Sequence, residues 1–469
     1  MNNSEINLIP EPLNPLSEML ALSSFGNTKN VLVTVIEGLG NLDMEAAKLA
    51  VRRTSDKFPR FRSCIREVRQ RGRHRIVWEH RPDLPLRIIT ADLEKTASSS
   101  SHLDSYLGHM VPHLDRNWDL FQEPSIEFHL VRVAPDRHII GPVLHHVAAD
   151  AGTASEVGRD FLANYHEILT GEKPHWAFQP EAISTSRKRQ VKIKEPRWWN
   201  FLAEAREAVS NMFDKPTLPV GSGSPGDLRQ YQIKRALSVE DTERIGKISA
   251  GRGVSFVDLL TACSNTTIDQ WNAARNVSPG ELTTSMSVNM KGRFRGFNTD
   301  NNSALLFFRS LPHERENPDA FMRSLSLARI KQFRNNKDFK FYQDVSRMTA
   351  AFRLLPFGLR SRIVHSLMQK HQFSVAITML GVIWPAFKNG KPTVDTCLTQ
   401  AGNLSVSTVH GIGYKLLSNT HLLFIVYFFR NRLNIVLAAS AGLFTREESE
   451  AFMDLMLTNL LDYSKTATA

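Results

Sequence analysis

The chain has 469 residues, 42% of them hydrophobic and 22% charged. That globular balance excludes collagen-like, coiled-coil and wholly disordered chains, and the length is ample to bury a core without covalent staples. The net charge of +11 admits nucleic acid, a membrane surface or small anions as partners without choosing among them. The three cysteines, Cys64, Cys263 and Cys397, form no CxxC pair, so a disulfide scaffold or zinc ribbon has no support and a reducing cytoplasm fits. The longest apolar run near the C-terminus, residues 422–429, falls well short of the roughly 20 residues a spanning helix needs. The N-terminus lacks the basic and apolar regions of a secretion signal.

In chain order, residues 1–30 carry three prolines and little periodicity, and are expected to form an extended arm. Residues 31–36 (VLVTVI) have the β-branched content of a buried strand. A helix is expected over 43–57, capped by Asn41 or Asp43 and stopped by Pro59. Strands are expected over 61–68 and 75–79. Another spans 126–133, where Ile126, Phe128 and Leu130 share a face. Residues 138–144 (HIIGPVL) are apolar, but Pro142 argues against a central strand because proline gives no ladder donor. Thr153-x-x-Glu156 has the form of a capping box. An apolar helical face follows, from Val157 to Leu169, and Gly171 closes it.

Residues 176–228 are expected to be a crossover linker between an N-terminal half-domain over 31–175 and a C-terminal one over 229–469. The linker holds a basic stretch (Arg187, Lys188, Arg189, Lys192, Lys194, Arg197) beside Trp198, Trp199 and Phe201, which would suit a lipid-facing surface. In the second half, Ser238-x-x-Asp241, Ser255-x-x-Asp258, Asn317-Pro318 and Thr445-x-x-Glu448 mark helix starts. A hairpin is expected across Arg430-Asn431, and His410 is expected in a turn. Strands and helices mix in both halves, so the class is α/β.

The segment that carries chemistry is His145-His146-Val-Ala-Ala-Asp150-Ala151-Gly152, between an expected strand and a capped helix. A neutral imidazole at a strand end suits a general base near neutral pH. A carboxylate four residues on can hold the loop or orient a ring. A buried structural His pair is the plain alternative. A metal site is not expected, since successive strand residues face opposite sides. No nucleotide-binding glycine loop and no G-x-S-x-G elbow is present.

HHxxxD followed by Ala-Gly resembles the HHxxxDG signature of the CoA-dependent acyltransferase superfamily. That group includes chloramphenicol acetyltransferase, plant BAHD acyltransferases, peptide-synthetase condensation domains and wax ester synthase/diacylglycerol acyltransferases. The run WDLFQEPSIEFHLVRVAPDRHIIGPVLHHVAADAG is similar to the family's approach to the active site. FPRFRSCI, GVSFVDLLTACSNTTIDQW, TTSMSVNMKGRF and the TMLG of Thr378 to Gly381 extend the likeness over residues 30–465. Three departures stand out. Ala151 replaces the family's glycine, with Gly152 one place later; Met379 replaces an asparagine; and the plant-type DFGWG is absent, its nearest counterpart being VHGIG at 409–413.

The resemblance implies two chloramphenicol acetyltransferase-like half-domains with mixed sheets flanking a central active-site tunnel. It implies acyl transfer from a thioester, acyl-CoA as co-substrate, to a hydroxyl acceptor, with no other cofactor and no metal. His146 would be the general base, with no covalent acyl-enzyme. Asp150 would fix the loop by pairing with an arginine, and His145 would support it. Gly152, Ser287, Asn289, Thr378 and Gly381 would bind substrate. A condensation-like enzyme with a carrier-protein donor, and a non-catalytic binding module, are the alternatives. The expected protein is a cytoplasmic monomer with peripheral membrane contact and no nucleic-acid partner.

Overall fold

The computed structural model describes residues 11–24, 28–94, 102–174, 176, 216–290, 301–370, 373–388, 391–396, 400–416 and 420–463. The first half runs β1 (Glu11–Pro12), α1 (Pro15–Ser23), β2 (Val31–Leu39), α2 (Met44–Lys57), the hairpin β3 (Ser63–Gln70) and β4 (Arg73–His80), then β5 (Arg87–Asp92) and α3 (His102–Leu114). The hairpin β6 (Ile126–Ala134) and β7 (Arg137–His145) leads into α4 (Ala151–Thr170). The second half runs β8 (Gln230–Ala236), α5 (Val239–Gly251), α6 (Phe256–Ala273), β9 (Leu282–Asn289), β10 (Ser303–Ser310), the one-turn α7 (Pro312–Arg315), α8 (Pro318–Arg334), α9 (Lys337–Phe352) and α10 (Phe357–Lys370). It closes with β11 (Val375–Val382), β12 (Pro385–Lys388), β13 (Lys391–Thr396), β14 (Gln400–Ala401), β15 (Leu404–Tyr414), β16 (Leu422–Phe429), β17 (Arg432–Ser440) and α11 (Arg446–Tyr463).

Each half is built on a six-stranded mixed sheet, ordered β14-β15-β2-β7-β6-β5 in the first and β10-β9-β11-β16-β17-β8 in the second. The β5–β6 pair is parallel in the first sheet, and the β9–β11 and β11–β16 pairs are parallel in the second. This is the expected two-lobed α/β architecture. The domain boundaries differ from the expected ones in one respect: β15 lies beyond residue 229 yet pairs antiparallel with β2 along its whole length, from Ser405 opposite Leu39 to Tyr414 opposite Val31. The late strand thus stitches the C-terminal chain into the first sheet. His410 sits inside this strand, opposite Val35, and not in a turn.

Local sequence signals set most element ends. Asp43 caps α2 by accepting from Ala46 N–H at 2.9 Å. Ser255 and Asp258 form a reciprocal capping box at α6. Arg430 and Asn431 take positive φ values of 50° and 58° in the two-residue β16–β17 turn, the backbone that matches strand twist in such hairpins. Gly171 ends α4 in the left-handed conformation at φ 76°.

Three expectations fail for identifiable reasons. Within its described residues the arm is not extended throughout: Asn14 caps α1 by accepting from Ser17 N–H at 2.8 Å, Pro15 occupies the first helical position, and the helix is almost wholly buried. Pro142 lies in a central strand after all. The β2–β7 register skips Gly141 and Pro142, pairing Val33 with Val143 and then Ile36 with Ile140, so the ladder is open at the proline toward β2, while toward β6 Pro142 stays paired with Phe128. Thr153 does not start α4. The helix begins at Ala151, and Asp150 is its cap. The crossover linker lies largely outside the described residues, and its basic and aromatic positions, 187–201, lie entirely outside them.

Candidate active site

The catalytic candidates follow from the turn between β7 and α4. β7 is buried along nearly its whole length, so the sheet holds the position of His145. The chain then turns sharply: Ala148 N–H donates to the His145 carbonyl at 3.0 Å, and Asp150 caps α4 by accepting from Thr153 N–H at 2.8 Å. The rigid strand and capped helix leave His146 between them, its own N–H held by the Asn30 carbonyl at 2.7 Å. Asn30 adopts φ 50° immediately before β2, a conformation asparagine tolerates better than most residues.

The two adjacent imidazoles have opposite tautomers. A backbone N–H only donates, and Val147 N–H points at His145 Nδ1 at 3.2 Å, so His145 carries its proton on Nε2. A carbonyl only accepts, and the Ala149 carbonyl lies 2.7 Å from His146 Nδ1, so His146 carries its proton on Nδ1 and its lone pair on Nε2. His145 is fully enclosed against Trp118, with ring centroids 5.7 Å apart. Burial, reinforced by His146 and Arg116, pushes its pKa down to about 3. It is a neutral structural group. His146 is half-buried and lines the cavity. Burial lowers its pKa below the usual histidine value, against the opposing pull of the Ala149 carbonyl and the Asp150 carboxylate. At neutral pH it is an unprotonated base.

The cavity encloses about 1180 Å³ of space between atoms, part of it open to solvent. Its walls come from both halves and are mainly apolar: Leu16, Met19 and Leu20 of α1, Phe341 of α9, Leu380 of β11 and Ile425 of β16. Ser285 and Ser287 of β9, Ser303 of β10 and Thr378 of β11 are among the polar lining residues. Of the expected substrate contacts, Ser287 and Thr378 line the cavity. Gly152, Asn289 and Gly381 do not. Gly152 is the second residue of α4, and it is Ala151 that faces the cavity. Asn289 is exposed at the end of β9, opposite Ser303. Gly381 serves a bulge in β11 at φ 75°.

Asn301 was not expected. Fully buried, it lies just before β10 and donates from its side-chain amide to the His146 carbonyl at 3.0 Å. Its only sequence signal is a polar pair ahead of an alternating strand. Among the described residues, no group of three or more His, Cys, Asp and Glu could hold a metal ion, and no helix is long and apolar enough to cross a membrane.

Comparison with known proteins places this geometry. The condensation-domain family model matches residues 19–283, more than half of the chain. The chain belongs to the condensation-domain family. Condensation domains transfer acyl groups from thioesters. The similar curated proteins are large synthetases. The isonitrile lipopeptide synthase of Mycobacterium tuberculosis is 29% identical over 141 residues, which is 30% of this chain and 5% of that protein. Tyrocidine synthase 3 of Brevibacillus parabrevis is 21% identical over 229 residues, 48% of this chain and 3% of that protein. The chain thus aligns with only a few per cent of the length of these relatives.

Solved condensation domains share the fold throughout. The first condensation domain of the calcium-dependent antibiotic synthetase, in complex with a substrate analogue, superposes with a TM-score of 0.70 at 13% identity, over 97% of this chain and 96% of that one. A variant of the starter condensation domain of rhizomide synthetase, in complex with C8-CoA, gives 0.60 at 13% identity, over 97% and 95%. The epimerization domain from the third module of tyrocidine synthetase B gives 0.62 at 14% identity, over 99% of both. One fold therefore hosts more than one chemistry, and function has to be argued from the site.

Proposed function

We propose that this condensation domain transfers an apolar acyl group from a thioester to an amine or hydroxyl nucleophile, with His146 as general base and no covalent acyl-enzyme. The observation that carries this reading is the 2.7 Å contact of His146 Nδ1 with the Ala149 carbonyl, which assigns the proton to Nδ1 and leaves the lone pair on Nε2 for a residue that lines the cavity. The nucleophile's X–H proton passes to Nε2 as the X–C bond forms, and the thioester carbonyl becomes a tetrahedral oxyanion. Collapse re-forms the carbonyl and breaks the C–S bond, and the proton on Nε2 passes to the departing thiolate. Hydroxyls of Ser285, Ser287, Ser303 and Thr378 are among the polar groups lining the cavity that are available to orient the reactants. A positioned base of this kind contributes about 10² to 10⁴ in rate, with proximity supplying much of the rest. Asp150 caps α4 and biases His146 electrostatically, and does not exchange protons itself.

The apolar walls favour a hydrocarbon acyl chain over a charged one, since burying an unpaired charge there is costly. A free acyl-CoA and a carrier-bound acyl group present the same thioester to this seat, and the donor is distinguished by experiment. Acyl-CoAs from acetyl to palmitoyl, and the same acyl groups on a phosphopantetheinylated carrier, would be offered with pooled alcohols and amines. Products are read by mass spectrometry for wild type and His146→Ala. Ester or amide formation that falls at least about 10²-fold in the variant is the expected result. Equal turnover by both proteins would remove His146 as the base, and no turnover by wild type with either donor would sink the reading in favour of a binding module.

A further inference from the structure

The catalytic base of the first half is held in part by a side chain of the second. Asn301 is fully buried. Its Nδ2 donates to the His146 carbonyl at 3.0 Å and lies 2.8 Å from His146 Nδ1. The His146 carbonyl only accepts, so the amide is oriented with its NH₂ toward that carbonyl, which also brings the nitrogen against Nδ1–H without donating to it. The orientation leaves Asn301 Oδ1 buried with no hydrogen-bond partner among the described residues, an unusual concession for a buried amide. Asn301 is itself held from a third direction: its carbonyl accepts from Asn14 Nδ2 at 3.2 Å. Asn14 is the cap of α1, the helix whose Leu16, Met19 and Leu20 wall the cavity. On the far side of His146, the main-chain N–H is held by Asn30, whose side chain donates to Ser24 at the end of α1.

We infer that Asn301 is a positioning residue that sets the ring of His146, so that the general base is complete only when the second half and both ends of α1 close on the first. The inference rests on the reading of His146 as the base. The Nδ1 proton is committed to the Ala149 carbonyl, and the Asn301 NH₂ crowds that same nitrogen. A donor there opposes the positive charge the ring takes on when Nε2 is protonated, and a carboxylate there would favour it.

The test uses N301L, which removes the hydrogen bond at similar volume, and N301D, which reverses the electrostatics. Two readouts are taken: steady-state acyl transfer as a function of pH, and the NMR titration of His146, its resonance assigned by its loss in H146A. N301L should lower kcat about 5- to 100-fold with little change in KM. N301D should raise the His146 titration midpoint. Should N301L fail to fold, N301D and the titration still decide. An unmoved His146 midpoint in N301D, with N301L turnover like wild type while H146A is inactive, would overturn the inference and leave the functional reading standing. A raised midpoint in N301D in a protein without acyl transfer would support the inference and discard the functional reading.

Discussion

Glu37 Oε1 lies 3.1 Å from His410 Nε2, joining β2 to β15 inside the first sheet, and Lys234 of the second sheet reaches the same nitrogen at 3.3 Å. Thr408 Oγ1 at 2.7 Å and Tyr427 OH at 3.3 Å complete a polar cluster at the seam between the halves. Burial pushes His410 down to about 4 despite the adjacent carboxylate, and pushes Lys234 down to about 8. Burial pushes Glu37 up, but its bond to His410 and the nearby charges of Lys234 and Arg137 together outweigh that and hold it below the usual carboxylate range.

The first prediction concerns acid stability. His410 and His145 fold neutral, held by burial down to about 4 and about 3, while in the unfolded chain they titrate near the ordinary histidine value of about 6.5. Below about pH 6.5 the unfolded state binds protons that the native state refuses. Stability is therefore lost as pH falls from about 6.5 toward 4, by up to about 1.4 kcal/mol per pH unit for each histidine. Urea unfolding at pH 7.0 and 4.5 should show this decline. His410→Gln should reduce the difference by about 1–3 kcal/mol. An identical pH dependence in wild type and variant would refute the assignment.

The second prediction concerns the base. Burial depresses His146 and Asp150 opposes that shift, so kcat/KM should rise to its plateau with a midpoint below 6.5. Asn caps helices about as well as Asp, so Asp150→Asn removes the charge and keeps the cap. Its midpoint should move further down with the α4 cap kept. Asp150→Ala should shift the midpoint equally and also lose about 1 kcal/mol of stability. A midpoint that moves up in Asp150→Asn would contradict the electrostatic role.

The third prediction concerns the anchoring of α1. Arg360 is fully buried and spans Glu18 of α1 at 2.8 Å and Glu67 of β3 at 3.0 Å, while Arg353 reaches Glu18 from a more exposed position at 2.6 Å. Removing one member of a buried ion network strands its partners, at about 3–5 kcal/mol. Arg360→Ala should therefore cost several times what Arg353→Ala costs in chemical denaturation. Equal losses would show that the burial of Arg360 adds nothing.

Much of this architecture is legible in the sequence because local signals mark it. The caps at Asp43, Ser255 and Thr445 and the Arg430-Asn431 turn all act over four residues or fewer. His146 is legible for the same reason, as a histidine at the junction of a strand and a helix. What is not legible depends on contacts distant in sequence. The pairing of β15 with β2 joins strands more than 360 residues apart. Asn301 reaches His146 across 155 residues. The burial of α1 is set by Arg360, 342 residues from Glu18, and no periodicity in residues 11–24 announces it. Pro142 misleads because its rule assumes continuous ladders on both sides of a central strand, and here the ladder toward β2 opens at the proline.

The last prediction concerns the shape of the cavity. Ala151 is the first residue of α4 and places its methyl at the wall shared with His146, while Met19 of α1 faces the apolar chamber. The two positions should therefore control different substrates. Ala151→Gly widens the approach to the base, at no more than about 1 kcal/mol for the added backbone freedom, and should lower KM for bulky nucleophiles while leaving the acyl preference alone. Met19→Trp fills the chamber, at about 1–3 kcal/mol of overpacking, and should shift the preferred acyl group to shorter chains while leaving nucleophile preference alone. Competition assays with mixed acyl donors and mixed nucleophiles, read by mass spectrometry, separate the two effects. If Met19→Trp changed nucleophile choice and Ala151→Gly changed acyl length, the chamber would be assigned to the wrong substrate. The acyl chain would then have to enter from the His146 side.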